Sequence, residues 1–248
     1  MKKVFQNPQG EKIDHSFTSA TNPKHSDWLV ILVHGVTGNK DRPIVKNCAD
    51  ALNEAGFDTL RFSFSGNGES DGDFRQATIS KEIHDLRAVL DAVSKDYDKI
   101  CCLGHSMGSA VSLLVTADDS RVNAFISLAG MVDTKKFAQT EFGDETPDAG
   151  NMWDDPDCPL SSEYMDDLCQ KIVSVLPQAE KTTVPWLLMH GTSDDTVSPN
   201  DSDSVEALEM KNVGLVRVDG ADHSFSDPEH TSIVAKTITD WLSEVARS

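Results

Sequence analysis

The arrangement in this chain best suited to covalent chemistry is a serine framed by two glycines, Gly104-His105-Ser106-Met107-Gly108. A short apolar run (99–103, KICCL) precedes it and a helical pattern follows through Leu113 and Leu114, so the serine falls at a sharp strand-to-helix turn. Residues beside such a turn must be small, and Gly104 and Gly108 supply that room. The hydroxyl then stands clear of the backbone at a helix N-terminus, whose partial positive charge favours a developing oxyanion. A serine hydroxyl is a poor nucleophile near neutral pH and needs a base. His223, in Gly220-Ala221-Asp222-His223-Ser224-Phe225, lies between the last predicted strand and the final helix, at the sheet end that also carries the serine. His34, His105 and His190 each abut a motif glycine or serine and read as structural; His15, His25, His84 and His230 read as surface residues. An imidazole base needs a carboxylate that fixes its tautomer and stabilises its positive charge. Asp194 and Asp195 follow the strand at 184–189, and Asp133 follows the strand at 122–129, so three acids compete. Two backbone donors are expected to hold the oxyanion: the N–H of Met107, directly after the nucleophile, and that of Val36, in the loop after the strand at 28–33.

The elements that must position these groups alternate. The run 28–33 (WLVILV) is apolar throughout, as in a strand buried on both faces. Ile44, Val45, Cys48, Ala49 and Leu52 share a helical face that Gly56 ends. Residues 57–64 form another strand, ending in the turn-rich SGNGESDGD. Ile83, Leu86, Leu90 and Val93 mark a second helix from Ser80. Strands follow at 122–129, 184–189 and 213–218, with a helix at 201–210. The last helix opens on Asp227 and Pro228 and presents Ile233, Val234, Ile238, Trp241, Leu242 and Val245. Residues 2–6 and 12–18 suggest a hairpin about Asn7-Pro8-Gln9-Gly10. Strand–helix alternation predicts an α/β fold with a mostly parallel, doubly wound sheet. The rhythm breaks over 131–183, which is acidic and carries Phe137, Phe142, Met152, Trp153, Tyr164 and Met165. This predicts a core formed by 1–130 and 184–248, with 131–183 an insertion over the C-terminal edge of the sheet, forming a small cap or lid.

Five segments together carry a resemblance: HGVTGNKDRP (34–43), FSFSGNGESDG (62–72), GHSMGSA (104–110), HGTSDDTVSP (190–199) and GADHSF (220–225). The chain resembles the α/β-hydrolase superfamily over nearly its whole length, and within it small bacterial acyl esterases of the cinnamoyl/feruloyl and lysophospholipase-like group. The resemblance implies Ser106 as nucleophile, Asp194 rather than Asp195 as the acid, His223 as the base, and the N–H groups of Val36 and Met107 as the oxyanion hole. It implies a carboxylic-ester hydrolase working through an acyl-enzyme, with acyl transfer and peptide hydrolysis as alternative uses of the same groups and a non-catalytic binding module as a more distant one. No metal or organic cofactor is implied. Ser109 departs from the glycine or alanine of many relatives, and the insertion matches no pattern that transfers.

Composition narrows the partners. A net charge of −19 repels nucleic acid and anionic membranes, and no window approaches the ~18 apolar residues of a membrane span. The opening MKKVFQNPQG is not a secretory signal, which predicts a cytoplasmic protein. Five cysteines without regular spacing make no disulfide framework, although Cys158 and Cys169 could pair. The Gly-rich Ser65–Ser70 lacks the lysine of a phosphate loop and reads as a turn near the site. The acidic cluster 154–157 reads as a solvated loop. The expected partner is a small neutral ester, aryl or hydroxycinnamoyl in its acyl half, lined by Trp153 and Tyr164, and the expected assembly is a monomer or homodimer.

Overall fold

A computed structural model describes residues 4–248. Seven strands make the main sheet in the order β3-β5-β4-β6-β7-β8-β9. These are His15–Thr18 (β3), Trp28–Val33 (β4), Asp58–Phe62 (β5), Lys99–His105 (β6), Val122–Leu128 (β7), Trp186–Gly191 (β8) and Val213–Val218 (β9). Only β3 runs antiparallel to its neighbour. The strand period of two divides β4 between two cores. Leu29, Ile31 and Val33 pack into the core that holds helices α2 (Ile79–Val93) and α3 (Met107–Thr116). Trp28, Val30 and Leu32 pack into the core beneath α1 (Pro43–Ala55) and α8 (Pro228–Val245). The uniformly apolar run is therefore a strand buried on both faces, as its composition predicts.

The N-terminus differs from the expected hairpin. Phe5–Gln6 (β1) pairs with Lys12–Ile13 (β2), but the chain then leaves for the large sheet, where His15 pairs opposite Phe62. The cause is the turn after β5. Ser70 Oγ accepts the Asp14 N–H at 2.8 Å and the Asp14 carbonyl accepts the Ser63 N–H at 2.9 Å, which breaks the predicted strand at Asp14. Lys2 and Lys3 of that expected strand lie outside the described residues. In α8, Val234, Ile238 and Leu242 are buried while Ile233 is exposed, so the face is narrower than the pattern implied.

Between β7 and β8 the chain forms short, irregular pieces: α4 (Thr134–Phe142), a 3₁₀ turn at Met152–Asp154, α5 (Ser162–Asp166), a π-helical stretch at Asp167–Ile172 and α6 (Leu176–Ala179). Phe137, Phe142, Met152, Leu160, Tyr164 and Leu168 are buried and continue the core of α2 and α3. Two buried carboxylates tie the segment to the regular fold. Asp167 accepts from the Ser80 N–H at 3.0 Å and the Ser80 hydroxyl at 2.6 Å, capping the first turn of α2. Asp201, in α7 (Asn200–Glu206), accepts the N–H groups of Val132 and Asp133 at 2.6 and 3.0 Å. All five cysteines are free thiols; Cys169, on the π-helical stretch, is half-buried and the other four are buried, so Cys158 and Cys169 do not pair.

Candidate active site

Ser106 links β6 to α3 with φ 55° and ψ −124°. A non-glycine residue in that region costs about 1–3 kcal/mol and persists only where the surroundings over-determine it. Here the Ser106 N–H donates to the Leu128 carbonyl at 3.0 Å, and the Ser106 carbonyl accepts from the N–H groups of Ser109 and Met131 at 2.9 and 3.3 Å. The glycines serve close approach. A Cβ on Gly104 would sit 2.5 Å from the Gly108 carbonyl oxygen, and one on Gly35 would sit 2.8 Å from Ser106 Cβ and 3.3 Å from Ser106 Oγ. The loop after β4 therefore presses against Ser106 only because position 35 has no side chain.

His223 lies in the loop between β9 and α8. Its Nδ1 is 2.8 Å from Asp194 Oδ2, so Nδ1–H donates to the carboxylate and Nε2 is left for the cleft. Asp194 is buried, which disfavours its charge, but hydrogen bonds from His190 and His223, the His223 charge and the Val197 N–H outweigh burial and hold the carboxyl well below the usual carboxylate range. Its other oxygen accepts the N–H groups of Thr196 and Val197 at 3.0 and 2.9 Å. Asp195 is exposed and meets the Thr196 hydroxyl, while Asp133 caps α4 by accepting the Lys136 N–H at 2.9 Å. Of the three acids, Asp194 is the one brought to His223.

The remaining structural histidines have definite jobs, and two were not foreseen as supports of the site. His190 Nε2 lies 3.1 Å from Asp194 Oδ2 and 3.0 Å from the Val197 carbonyl, while its Nδ1 accepts from the Ser202 hydroxyl at 2.7 Å. The serine thus fixes the tautomer that donates to the acid. His105 Nε2 donates to the His223 carbonyl at 2.9 Å, and the two rings lie 4.9 Å apart. Burial, aided by the His223 charge, pushes the proton affinity of His105 down to about 3, so it is a neutral strut. Adjacency to motif residues marked both histidines as structural; which backbone or carboxylate they would meet had no signal in the sequence.

Val36 lies in the loop that His34 braces. His34 Nδ1–H donates to the Gly35 carbonyl at 2.8 Å and Nε2 accepts the Phe64 N–H at 3.0 Å. Burial lowers His34 to about 4, which keeps it neutral in that dual role. The turn after β5 thus supports the site through His34. Met107 opens α3, so its N–H has no partner within the helix.

Ser106, His223 and Val36 line one cleft of about 580 Å³, together with Arg42, Trp153 and Phe225. A slightly larger hollow, about 670 Å³, lies among Asp27, Lys99 and Lys181 and touches none of these groups. Trp153 reaches the cleft from the segment 131–183. It is 45% exposed, has φ 49°, stacks edge-on to Phe142 at 4.9 Å and donates its indole N–H to Glu141 at 2.8 Å. Tyr164 does not line the cleft. It is buried beneath the site, its hydroxyl 3.8 Å from Met107 Sδ, because the aromatic residues of the segment are consumed in its own packing. Among the described residues no cluster of three or more His, Cys, Asp or Glu side chains could hold a metal, and no helix is long and apolar enough to cross a membrane.

This architecture superposes on Est1E of Butyrivibrio proteoclasticus, in a structure with ferulic acid bound, with a TM-score of 0.86 at 26% identity over 98% of each chain. The chain has the α/β-hydrolase fold. A family model described as serine aminopeptidase, S33, matches residues 24–144. The mitochondrial palmitoyl-protein thioesterase ABHD10 of Bos taurus is 22% identical over 88% of this chain and 74% of its own length. An uncharacterised 31.7 kDa protein of Escherichia coli is 32% identical over 45% of this chain and 40% of its own. The chain thus spans about two fifths of that relative's length.

Proposed function

We propose that the protein is a serine carboxylic-ester hydrolase that works through an acyl-enzyme on small esters with an aryl or hydroxycinnamoyl acyl group. The observation that carries this reading is the 2.8 Å contact of His223 with Asp194 beside a cleft shared with a strained Ser106. Ser106 Oγ attacks the ester carbonyl as His223 Nε2 takes its proton, and Asp194 stabilises the imidazolium. The N–H groups of Val36 and Met107 hold the oxyanion. Collapse of the tetrahedral intermediate breaks the bond to the alcohol, which leaves with the proton from His223. Water then attacks the acyl-enzyme with His223 again as base, releasing the acid and restoring Ser106. Trp153 supplies an aromatic wall for the acyl group.

The peptidase alternative has a family description in its favour. An aminopeptidase must hold the ammonium of its substrate, which calls for a carboxylate, and the residues lining this cleft include none. That supports the ester reading. The test is hydrolysis of p-nitrophenyl esters of graded acyl length by the wild type and Ser106→Ala. Loss of about 10⁶ in kcat is expected. An active Ser106→Ala variant, or a wild type whose Ser106 resists a fluorophosphonate probe, would remove this function.

A further inference from the structure

The protein carries 41 acidic residues in 248, so a lining the size of the catalytic cleft would hold about three carboxylates by composition alone. It holds none. Its polar wall consists of neutral donors, among them Thr37, Asn47, Thr196 and Ser224, and its single permanent charge is Arg42. Acids around the cleft have other partners: Asp41 pairs with Lys40 and Arg61, Asp222 accepts from the Ser226 N–H, and Glu141 accepts from the Trp153 indole. Asp155 and Asp157, whose charges act on Cys158 together with that of Arg42, lie beyond ion-pairing distance of Arg42.

Among the described residues, Arg61, Arg87, Arg121 and Arg217 each hold a carboxylate at ion-pairing distance. Arg42, Arg75 and Arg247 do not, and of these three Arg42 alone lines the cleft. Its Nη2 donates to the Thr37 carbonyl at 2.9 Å and lies 3.4 Å from the Thr37 hydroxyl, an anchor that uses one nitrogen and leaves the others available. Thr37 itself has φ 54°, so the anchor sits on a locally constrained loop next to Val36. The guanidinium is close enough for its charge to lower the proton affinity of both His34 and His105.

The net charge argued for neutral esters, but exposed charges are screened beyond about 8–10 Å at ordinary ionic strength. What decides selection inside a cleft is its lining. We propose that Arg42 is a specificity-determining residue that binds an anionic group, a carboxylate or phosphate, carried by the ester substrate. This rests on the hydrolase reading above and names the charge class of its substrate. A guanidinium with free N–H groups, in a cleft otherwise lined by neutral polar groups, fits an oxyacid by paired, charge-assisted hydrogen bonds.

Two matched pairs of esters test this and show which half carries the charge. For the acyl half, the p-nitrophenyl monoester of adipic acid is compared with its methyl diester. For the alcohol half, meta-acetoxybenzoate is compared with its methyl ester. Each kcat/KM is normalised to the rate of hydroxide-catalysed hydrolysis. The wild type is expected to favour the anionic member of at least one pair by about tenfold or more. Arg42→Gln should abolish that preference and Arg42→Lys should keep part of it. The ratio divides out any general loss caused by releasing Thr37. A wild type that favours the neutral member of both pairs overturns the proposal. So does an Arg42→Gln variant that slows both members equally, since Arg42 would then only hold the loop. If none of the four esters turns over, the hydrolase reading falls and this one with it; turnover of the neutral esters alone removes this one only.

Discussion

The loop after β4 and the segment 131–183 both border Ser106, yet they are held by different physics. The loop is fixed by close packing on a glycine: Gly35 lies against the Ser106 side chain and the His105 carbonyl, and the His34 ring spans from the Gly35 carbonyl to the Phe64 N–H. The segment is fixed by side chains that reach into it from the regular fold, Asp201 at its start and Ser80 on its buried Asp167. Packing against a glycine leaves no side chain to adjust, so it suits the geometry of a transition state. Side-chain tethers tolerate change, so they suit the part of a site that chooses a substrate. The loop should therefore fail in kcat, and the segment in stability and selectivity.

The sharpest test of the catalytic side is the choice of acid. Asp194→Asn should lower kcat by about 10⁴, because the amide leaves His223 in the wrong tautomer, while Asp195→Asn should leave it nearly unchanged; parallel steady-state kinetics decide between them. Next comes Gly35→Ala. Its methyl group would crowd Ser106 and displace the Val36 N–H, and a loss of about 100-fold in kcat with little change in KM is expected. A normal kcat would mean that the loop is not the rigid half of the site.

On the tethered side, Asp167→Ala should cost about 1–3 kcal/mol in urea unfolding by leaving the Ser80 N–H and hydroxyl without their buried acceptor. It should alter kcat on the smallest esters far less than Gly35→Ala does. Trp153→Ala should shift the ratio of aryl to alkyl acyl esters by about tenfold, against no selectivity change for Tyr164→Phe, whose ring lies outside the cleft.

The smallest effect is a pH dependence on the loop side. His34 and His105 have folded values of about 4 and about 3 against 6.5. Below pH 6.5 the unfolded chain takes protons that the folded chain refuses, so stability falls with pH, by about 2 kcal/mol for each histidine at pH 5. Glu82 and Asp85, raised by burial, work in the opposite direction, so the readout is the difference from single variants. His105→Gln should flatten the slope of urea midpoint against pH between 7 and 5.

Much of the rigid half was legible in the sequence because its causes are local. WLVILV can be buried on two faces only as a central strand, Gly-x-Ser-x-Gly after a strand forces the turn at Ser106, and Gly56 ends α1 with φ 107°. What was not legible is contact at long range. The burial of Tyr164 and the exposure of Trp153 follow from how Phe137 and Phe142 pack, and similar aromatic residues close in sequence gave no way to tell wall from core. The tie from His105 to the His223 carbonyl spans 118 residues. The break in the N-terminal strand depends on Ser70, far along the chain.

The distribution of thiols has a practical consequence. Four cysteines are enclosed and Cys169 alone is half-buried, on the π-helical stretch beside Asp167. A maleimide dye should therefore attach first at Cys169 in the wild-type chain, giving a fluorescent reporter on the selective half of the site with no engineered residue and an unlabelled catalytic half as its internal reference.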